Sequence, residues 1–277
     1  MSAAVPGSLV QGATMLATST ASTTPIPSWG AVGVSLLLVL VAVAIAWRQQ
    51  LGISREIVVA AARALVQLVA IGAELAWLFA HAGIAGALAW VFAMTFVAAN
   101  ESRRRGRGLP HAFRSALLGI IVGTVATLGV LVVGGVISTE PQVLIPIGGM
   151  VVSGAMQASS LALTSLHRSA VENRPAVEAA LSLGLPARQA FASELRTAVR
   201  TALVPTVDQT RVVGLISLPG TMTGLIIAGV DPLQAIRYQI IVMYMLLAAW
   251  AVSALVTARA AEGALFDDAQ RLVPVAA

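Results

Sequence analysis

The chain has no cysteine and no lysine, and only 10% of its residues are charged. Without cysteine there is no disulfide, no zinc–thiolate site and no thiol nucleophile. Without lysine there is no retinal-type Schiff base, and no Walker A loop, whose lysine must reach the phosphates. Any use of ATP therefore needs a second polypeptide. No G-x-S-x-G and no H-E-x-x-H arrangement occurs, so the familiar signatures of a hydrolase are missing as well.

What is present is apolar surface. The 277 residues are 58% hydrophobic with a mean hydropathy of +0.89, more than a soluble core of this size can hide, so lipid is the expected solvent. The net charge of +5 and pI near 11.2 do not point to nucleic acid, because the arginines are scattered over separate short segments rather than gathered on one face. Fourteen of the 17 arginines lie around 48–56, 101–114, 167–200 and 258–277, and none lies in the loops between those regions. By the positive-inside rule those four regions are cytoplasmic.

A span needs about 20 mostly apolar residues. Seven segments qualify: 31–47, 57–80, 84–100, 115–137, 143–166, 204–228 and 234–258. The fold class expected is thus an all-α, polytopic membrane protein of about seven spans, N-terminus outside and C-terminus cytoplasmic, in the cell's inner (plasma) membrane. Residues 1–30, uncharged and rich in Ser, Thr, Ala and Pro, read as a disordered external tail. Residues 31–260 form the membrane domain and 261–277 a cytoplasmic tail. The external loops are short; in one of them Asp231 suits an N-cap with Pro232 at the first helical position.

Between the fifth and sixth spans, residues 167–203 are too polar to span and too long for a turn. Gly184 followed by Pro186 predicts a helix from Pro175 to Leu183 and a second from Pro186, since Gly suits a C-terminal cap and Pro a first turn. Two readings stand: a helix-turn-helix that docks a cytoplasmic partner, or an amphipathic helix lying on the lipid headgroups.

Ionisable groups inside spans cost roughly 2.5–3.5 kcal/mol at a helix centre, so each is a functional candidate. Arg63, Gln67 and Glu74 fall 4 and 7 residues apart, on one helical face expected to look into the bundle. Both charges lie near enough to the ends of their span to reach water. Asp208 and Arg211 are spaced to pair across one turn, while Arg237 is offered Asp231 or Glu74. Pro219-Gly220 near the middle of the sixth span predicts a kink or break, with Ser217, Thr221 and Thr223 to satisfy the freed backbone. For a metal, Met150, Met156, Gln157 and Met222 are soft or neutral donors, and His81, His111 and His167 are expected in loops. Gly119, Gly123, Gly134-Gly135, Gly148-Gly149 and Ser153-Gly154-Ala155 allow close helix packing and a dimer seam.

Glu178-Ala179-Ala180-Leu181-Ser182-Leu183-Gly184 resembles the EAA-x-x-x-G start of the loop by which ABC-importer permeases dock their ATPases. Where importers continue with I-x-L-P, this chain has Glu194-Leu195-Arg196-Thr197. Ala62 to Leu68, Ile145 to Met150, Val213 to Gly224, Asp231-Pro232 and Arg237 to Ile240 resemble the pattern of FetB-type ABC permeases, a family assigned to iron export with plant relatives linked to aluminium tolerance. The resemblance runs from about residue 31 to 260. It implies a transport subunit without its own ATPase site, a complex of two permeases and two ATPases, ATP and Mg on the partner chain, and no cofactor here. It marks Glu178, Ala179, Ala180, Gly184, Arg188 and Phe191 for docking; the polar groups and the break inside the spans, read from the residues themselves, mark Arg63, Gln67, Glu74, Gln157, Pro219, Gly220 and Thr221 for the translocation path or gate. The alternative is a stand-alone proton-coupled transporter, with Glu74 or Asp208 as proton carrier and the Pro-Gly break as a discontinuous binding helix.

Overall fold

The computed structural model describes residues 28–81 and 83–275. The external tail expected over residues 1–30 falls, up to residue 27, outside the described residues. Among those described the protein is all-helical: α1 (Trp29–Arg48), α2 (Ser54–His81), α3 (Ile84–Arg105), α4 (Ala112–Val133), α5 (Pro141–Glu172), α6 (Arg174–Ser182), α7 (Ala187–Ala190), α8 (Ala192–Val212), α9 (Gly220–Ile227) and α10 (Pro232–Ala264). Extended pairing is limited to two isolated bridges, Val213 with Ser217 and Phe266 with Leu272.

Five of these helices, α1, α3, α4, α5 and α10, are long and apolar enough to cross a membrane, which makes this a multi-pass membrane protein. Two of them begin at side-chain caps. Ser28 caps α1 by accepting the Ala31 N–H at 3.3 Å. Asp231 caps α10 as expected, its carboxylate accepting the N–H groups of Leu233 and Gln234 at 2.9 and 3.3 Å. α2 coincides with the second apolar segment and has the length to span, but it carries Arg55, Glu56, Arg63 and Glu74.

The segment expected as one span over 204–228 is two helices. α8 starts at Ala192 and runs without interruption to Val212, so the helix expected below the membrane and the first part of this segment are continuous. The chain then leaves helical geometry over residues 213–219. Gly214 takes φ +81° and donates its N–H to the Ser217 carbonyl at 2.9 Å, and Pro219 sits extended as the cap of α9. The Pro219 ring disfavours helical backbone at Leu218, so the break begins before the proline and is wider than Pro219-Gly220 alone predicts. α5 likewise outruns its expected end, reaching Glu172. His167, expected in a loop, therefore lies in a helix.

The described residues form two compact units, one of residues 28–64 with Leu218–Gln239, the other of Leu65–Ser217 with residues 240–275. In the larger unit α5 is the central helix, packed by α3, α4 and α8. Its inner face recurs at helical spacing, and Val151, Ala155, Ala158, Ala162, Leu163 and Leu166 are fully buried. Lipid is as apolar as leucine, so helix association here rests on close contact and buried hydrogen bonds. The Ser159 and Thr257 hydroxyls meet at 2.8 Å, and the Ser160 hydroxyl donates to that of Ser102 at 3.1 Å. The small residues supply the close contact. A Cβ on Gly119 would lie 1.9 Å from the Thr257 hydroxyl, and one on Gly154 would lie 2.4 Å from the Trp250 indole nitrogen. Gly119, Gly123, Gly148 and Gly154 thus serve packing within this chain, whereas Gly135 has nothing within 4 Å.

Candidate functional site

The docking candidates lie in the larger unit, on a helical turn built by its own backbone. α6 carries Pro175 in its first turn and is followed by Leu183 as its C-cap. Beyond it, the Gly184 N–H donates to Leu181 O at 2.9 Å and the Leu185 N–H to Ala180 O at 3.2 Å. With Gly184 at φ +88°, this is the Schellman arrangement, which needs a left-handed residue after the cap and so favours glycine. Pro186 then stands extended and caps α7. The sequence expectation of a helix ending at Gly184 is met within one residue.

Of the residues marked for docking, Glu178, Ala179, Gly184 and Arg188 are exposed and Ala180 half-buried, while the neighbouring Val177, which was not marked, is the buried anchor. The Glu178 carboxylate takes the Arg174 Nε–H at 2.7 Å. Leu183, at the tip of the turn, is 82% exposed. Phe191 differs from expectation. It is fully buried and meets the Phe266 ring edge-on, centroids 5.9 Å apart, so it anchors the turn from inside and presents nothing outward. It also ends α7, making the second expected helix two pieces, α7 and α8.

That ring contact belongs to a feature the sequence reading missed. The last described residues are not a plain tail. They fold into a hairpin bracketed by Leu265 and Leu272, both buried. The Val273 N–H donates to Leu265 O at 2.9 Å and the Asp267 N–H to Arg271 O at 3.0 Å. The Asp267 carboxylate accepts the Arg271 N–H at 2.8 Å and its Nε–H at 2.9 Å. The backbone N–H of Arg271, then burial acting the other way, then the Arg271 guanidinium leave the Asp267 carboxyl below its ordinary value. The hairpin is tied to the turn around Gly184 twice: Arg174 donates to Leu272 O at 3.3 Å, and Gln270 Oε1 accepts the Ala187 N–H at 3.0 Å. Between them lies an open cleft of about 1010 Å³, lined by Arg174, Glu178, Leu185, Asp268 and Arg271. The one sequence signal was the apolar pair Phe266 and Leu272 on either side of Asp-Asp-Ala-Gln-Arg.

The gate candidates divide. In the smaller unit, Pro219 is half-buried and Gly220 exposed at the start of α9. The Thr221 hydroxyl donates to Gln239 Oε1, and that of Thr223 to Pro219 O at 3.2 Å. Gln239, from the Arg237 to Ile240 stretch, is thus the partner of a gate candidate. Within residues 213–219 the side chains of Leu215 and Ile216 are 88% and 82% exposed. Arg63, Gln67 and Glu74 on α2, expected to face inward, are exposed on this chain, as is Gln157 on α5. Asp208 and Arg211 do pair, at 3.5 Å. Arg237 forms no ion pair with Asp231, whose carboxylate is occupied by the cap. Among the described residues His, Asp and Glu form no group of three or more placed to hold a metal.

Comparison with known proteins agrees with this membrane architecture. Residues 29–266 match the model of the uncharacterised protein family UPF0014. The chain is 36% identical over 239 residues to the probable iron export permease protein FetB of Escherichia coli (strain K12), covering 86% of this chain and 92% of that protein. It is 38% identical over 235 residues to the UPF0014 membrane protein STAR2 of Oryza sativa subsp. japonica, covering 85% and 82%. It is 34% identical over 238 residues to the protein ALUMINUM SENSITIVE 3 of Arabidopsis thaliana, covering 86% and 87%. No solved structure matches. With a match across most of its length, the chain belongs to the UPF0014 family of multi-pass membrane proteins.

Proposed function

We propose that this chain is the permease subunit of an ATP-binding-cassette transporter and that α6, α7 and the start of α8 dock a separate cytoplasmic ATPase, which holds ATP and Mg. The observation that carries this is the Schellman-capped turn at Gly184, with Glu178 exposed on its helix and Leu183 standing 82% exposed at its tip. Two permeases acting as a homodimer would leave the exposed faces of α1 and α2 to lipid and to the second copy. The five long apolar helices, α2 and the interrupted segment 192–227 then supply seven crossings, N-terminus outside. Arginines 103 to 105 in the last turn of α3 fit a cytoplasmic end.

The cargo is a metal ion, iron by the name of the bacterial relative, moved outward. A transit path must hold its ion weakly enough to release it. Neutral oxygens such as those of Thr221 and Gln239, which meet within the smaller unit, suit this better than a carboxylate cluster. The proton-coupled alternative gains nothing from Asp208, whose charge is already met by Arg211.

Co-purification with the host's cassette ATPases tests the reading. Wild type retains an ATPase with measurable ATP hydrolysis, whereas Glu178→Arg loses it while staying folded and Gly184→Pro, which cannot take φ +88° and lacks the N–H that donates to Leu181 O, loses it together with the turn. A folded wild type that retains none overturns it.

A further inference from the structure

We infer that the groove between α8 and the second half of α10 is a binding site for an anionic phospholipid. The groove lies wholly within the larger unit and encloses about 690 Å³, within the range of sites that hold a small ligand or a lipid headgroup with its upper chain. Its two kinds of wall set the chemistry. Arg196, Arg200 and Arg211 of α8 and Arg259 of α10 supply cations, with Asp208 as the acidic lining residue. Val199, Leu203, Val207 and Leu255 form an apolar floor.

The charges are not balanced from within. Arg211 is met by Asp208 at 3.5 Å and Arg259 by Glu262 at 3.1 Å. Arg196 spends its Nε–H on the carbonyl of Ala192, a neutral group, at 3.1 Å. Among the described residues neither Arg196 nor Arg200 has an ion pair, and both are exposed. These two stand one turn apart, where like charges oppose helix formation; a phosphate bridging them would relieve that. Arginine suits the role because its guanidinium binds phosphate in a bidentate manner.

The floor decides between a lipid and a soluble anion. Val204 and Leu255 are each close to half-exposed on this groove, which favours an acyl chain over water. α10 is itself a membrane-crossing helix, so the groove opens where lipid is at hand. Basic pockets between membrane helices hold anionic headgroups by this combination, at roughly 1 kcal/mol per arginine.

The test uses the full chain purified in a neutral detergent, titrated by native mass spectrometry with dioleoyl phosphatidylglycerol, with dioleoyl phosphatidylcholine, and with glycerol 3-phosphate as the soluble headgroup. Phosphatidylglycerol is expected to bind at least about tenfold more tightly than either other probe. Arg196→Ala/Arg200→Ala weakens it about 25-fold, following a factor of about five per arginine, whereas Arg103→Ala/Arg107→Ala, which removes the same charge elsewhere, leaves it unchanged. Val204→Trp fills the groove without touching an arginine and also lowers phosphatidylglycerol binding. Equal binding of the two lipids, an undiminished affinity in the Arg196/Arg200 variant, an equal loss in the control, or glycerol 3-phosphate binding as tightly as the lipid would each overturn the assignment.

Discussion

The Gln270 side chain holds the backbone of Ala187, Oε1 accepting that N–H at 3.0 Å across 83 positions of sequence. Ala187 opens α7 after Pro186, which has no side-chain acceptor to offer, so the N–H would otherwise face water or go unmet. Gln270→Ala is expected to cost about 1 kcal/mol locally. Amide exchange at residues 187–191 should then quicken about fivefold, with the rate in α5 unaltered. An unchanged rate at Ala187 would mean that the hairpin lies against the turn without supporting it.

Acidification should loosen the same hairpin. Asp267 has a lowered carboxyl pKa, caused first by the Arg271 backbone N–H. A group depressed in the folded state contributes stability that is fully present above the ordinary carboxylate value and is lost as pH falls through the lowered one. Proteolytic cutting within residues 265–275 is therefore expected to be flat near neutrality and to rise only in strong acid. Asp267→Asn should cut faster at neutral pH and lose the acid-dependent rise. A wild-type transition near pH 6 would assign the switch to a different group.

The glycines of α4 divide sharply. A Cβ at Gly119 meets the Thr257 hydroxyl at 1.9 Å and the Ser253 carbonyl at 2.8 Å, and one at Gly123 meets the Ser253 hydroxyl at 1.9 Å, whereas at Gly129 nothing lies within 4 Å. Gly119→Ala and Gly123→Ala should destabilise by about 1–3 kcal/mol, as overpacking does. Gly129→Ala should be neutral or stabilising by up to about 1 kcal/mol through helix propensity. Thermal denaturation in detergent ranks the three. Equal effects would remove the packing role from Gly119 and Gly123.

These contrasts show what was legible in the sequence. Long apolar runs, Asp231 before Pro232, and Gly184 after an alanine-rich helix are local signals; the structure realises the Asp231 cap and the Gly184 stop, and five of the seven runs as long apolar helices. What was missed depends on contacts between distant positions. Phe191 looked like a surface residue because nothing nearby announces Phe266 as its partner. The closing hairpin reads as a tail until Leu272 is seen buried. Pro219 foretold a break, but its breadth comes from Gly214 and Ser217, whose bond no apolar-run argument contains. Arg63, Gln67 and Glu74 do share a helix; which face they present depends on what surrounds the chain in the membrane, which one chain's sequence does not encode.

Leu183 and Gly184 separate the surface of the docking turn from its geometry. Leu183 is mostly exposed and touches little of its own chain, so Leu183→Asp should change stability by no more than about 0.5 kcal/mol while removing an apolar contact from the partner surface. Gly184 at φ +88° has open space where a Cβ would stand, so Gly184→Ala is resisted by backbone conformation alone, at about 1–2 kcal/mol. Gly184→Asn, which tolerates left-handed backbone better, should be milder. If the turn docks an ATPase, Leu183→Asp loses the ATPase at unchanged melting temperature, Gly184→Ala loses both in part, and Gly184→Asn retains most of each. Retention of full ATPase activity by Leu183→Asp would move the contact off the tip. The cleft between Glu178 and Arg271 would then be the next surface to alter.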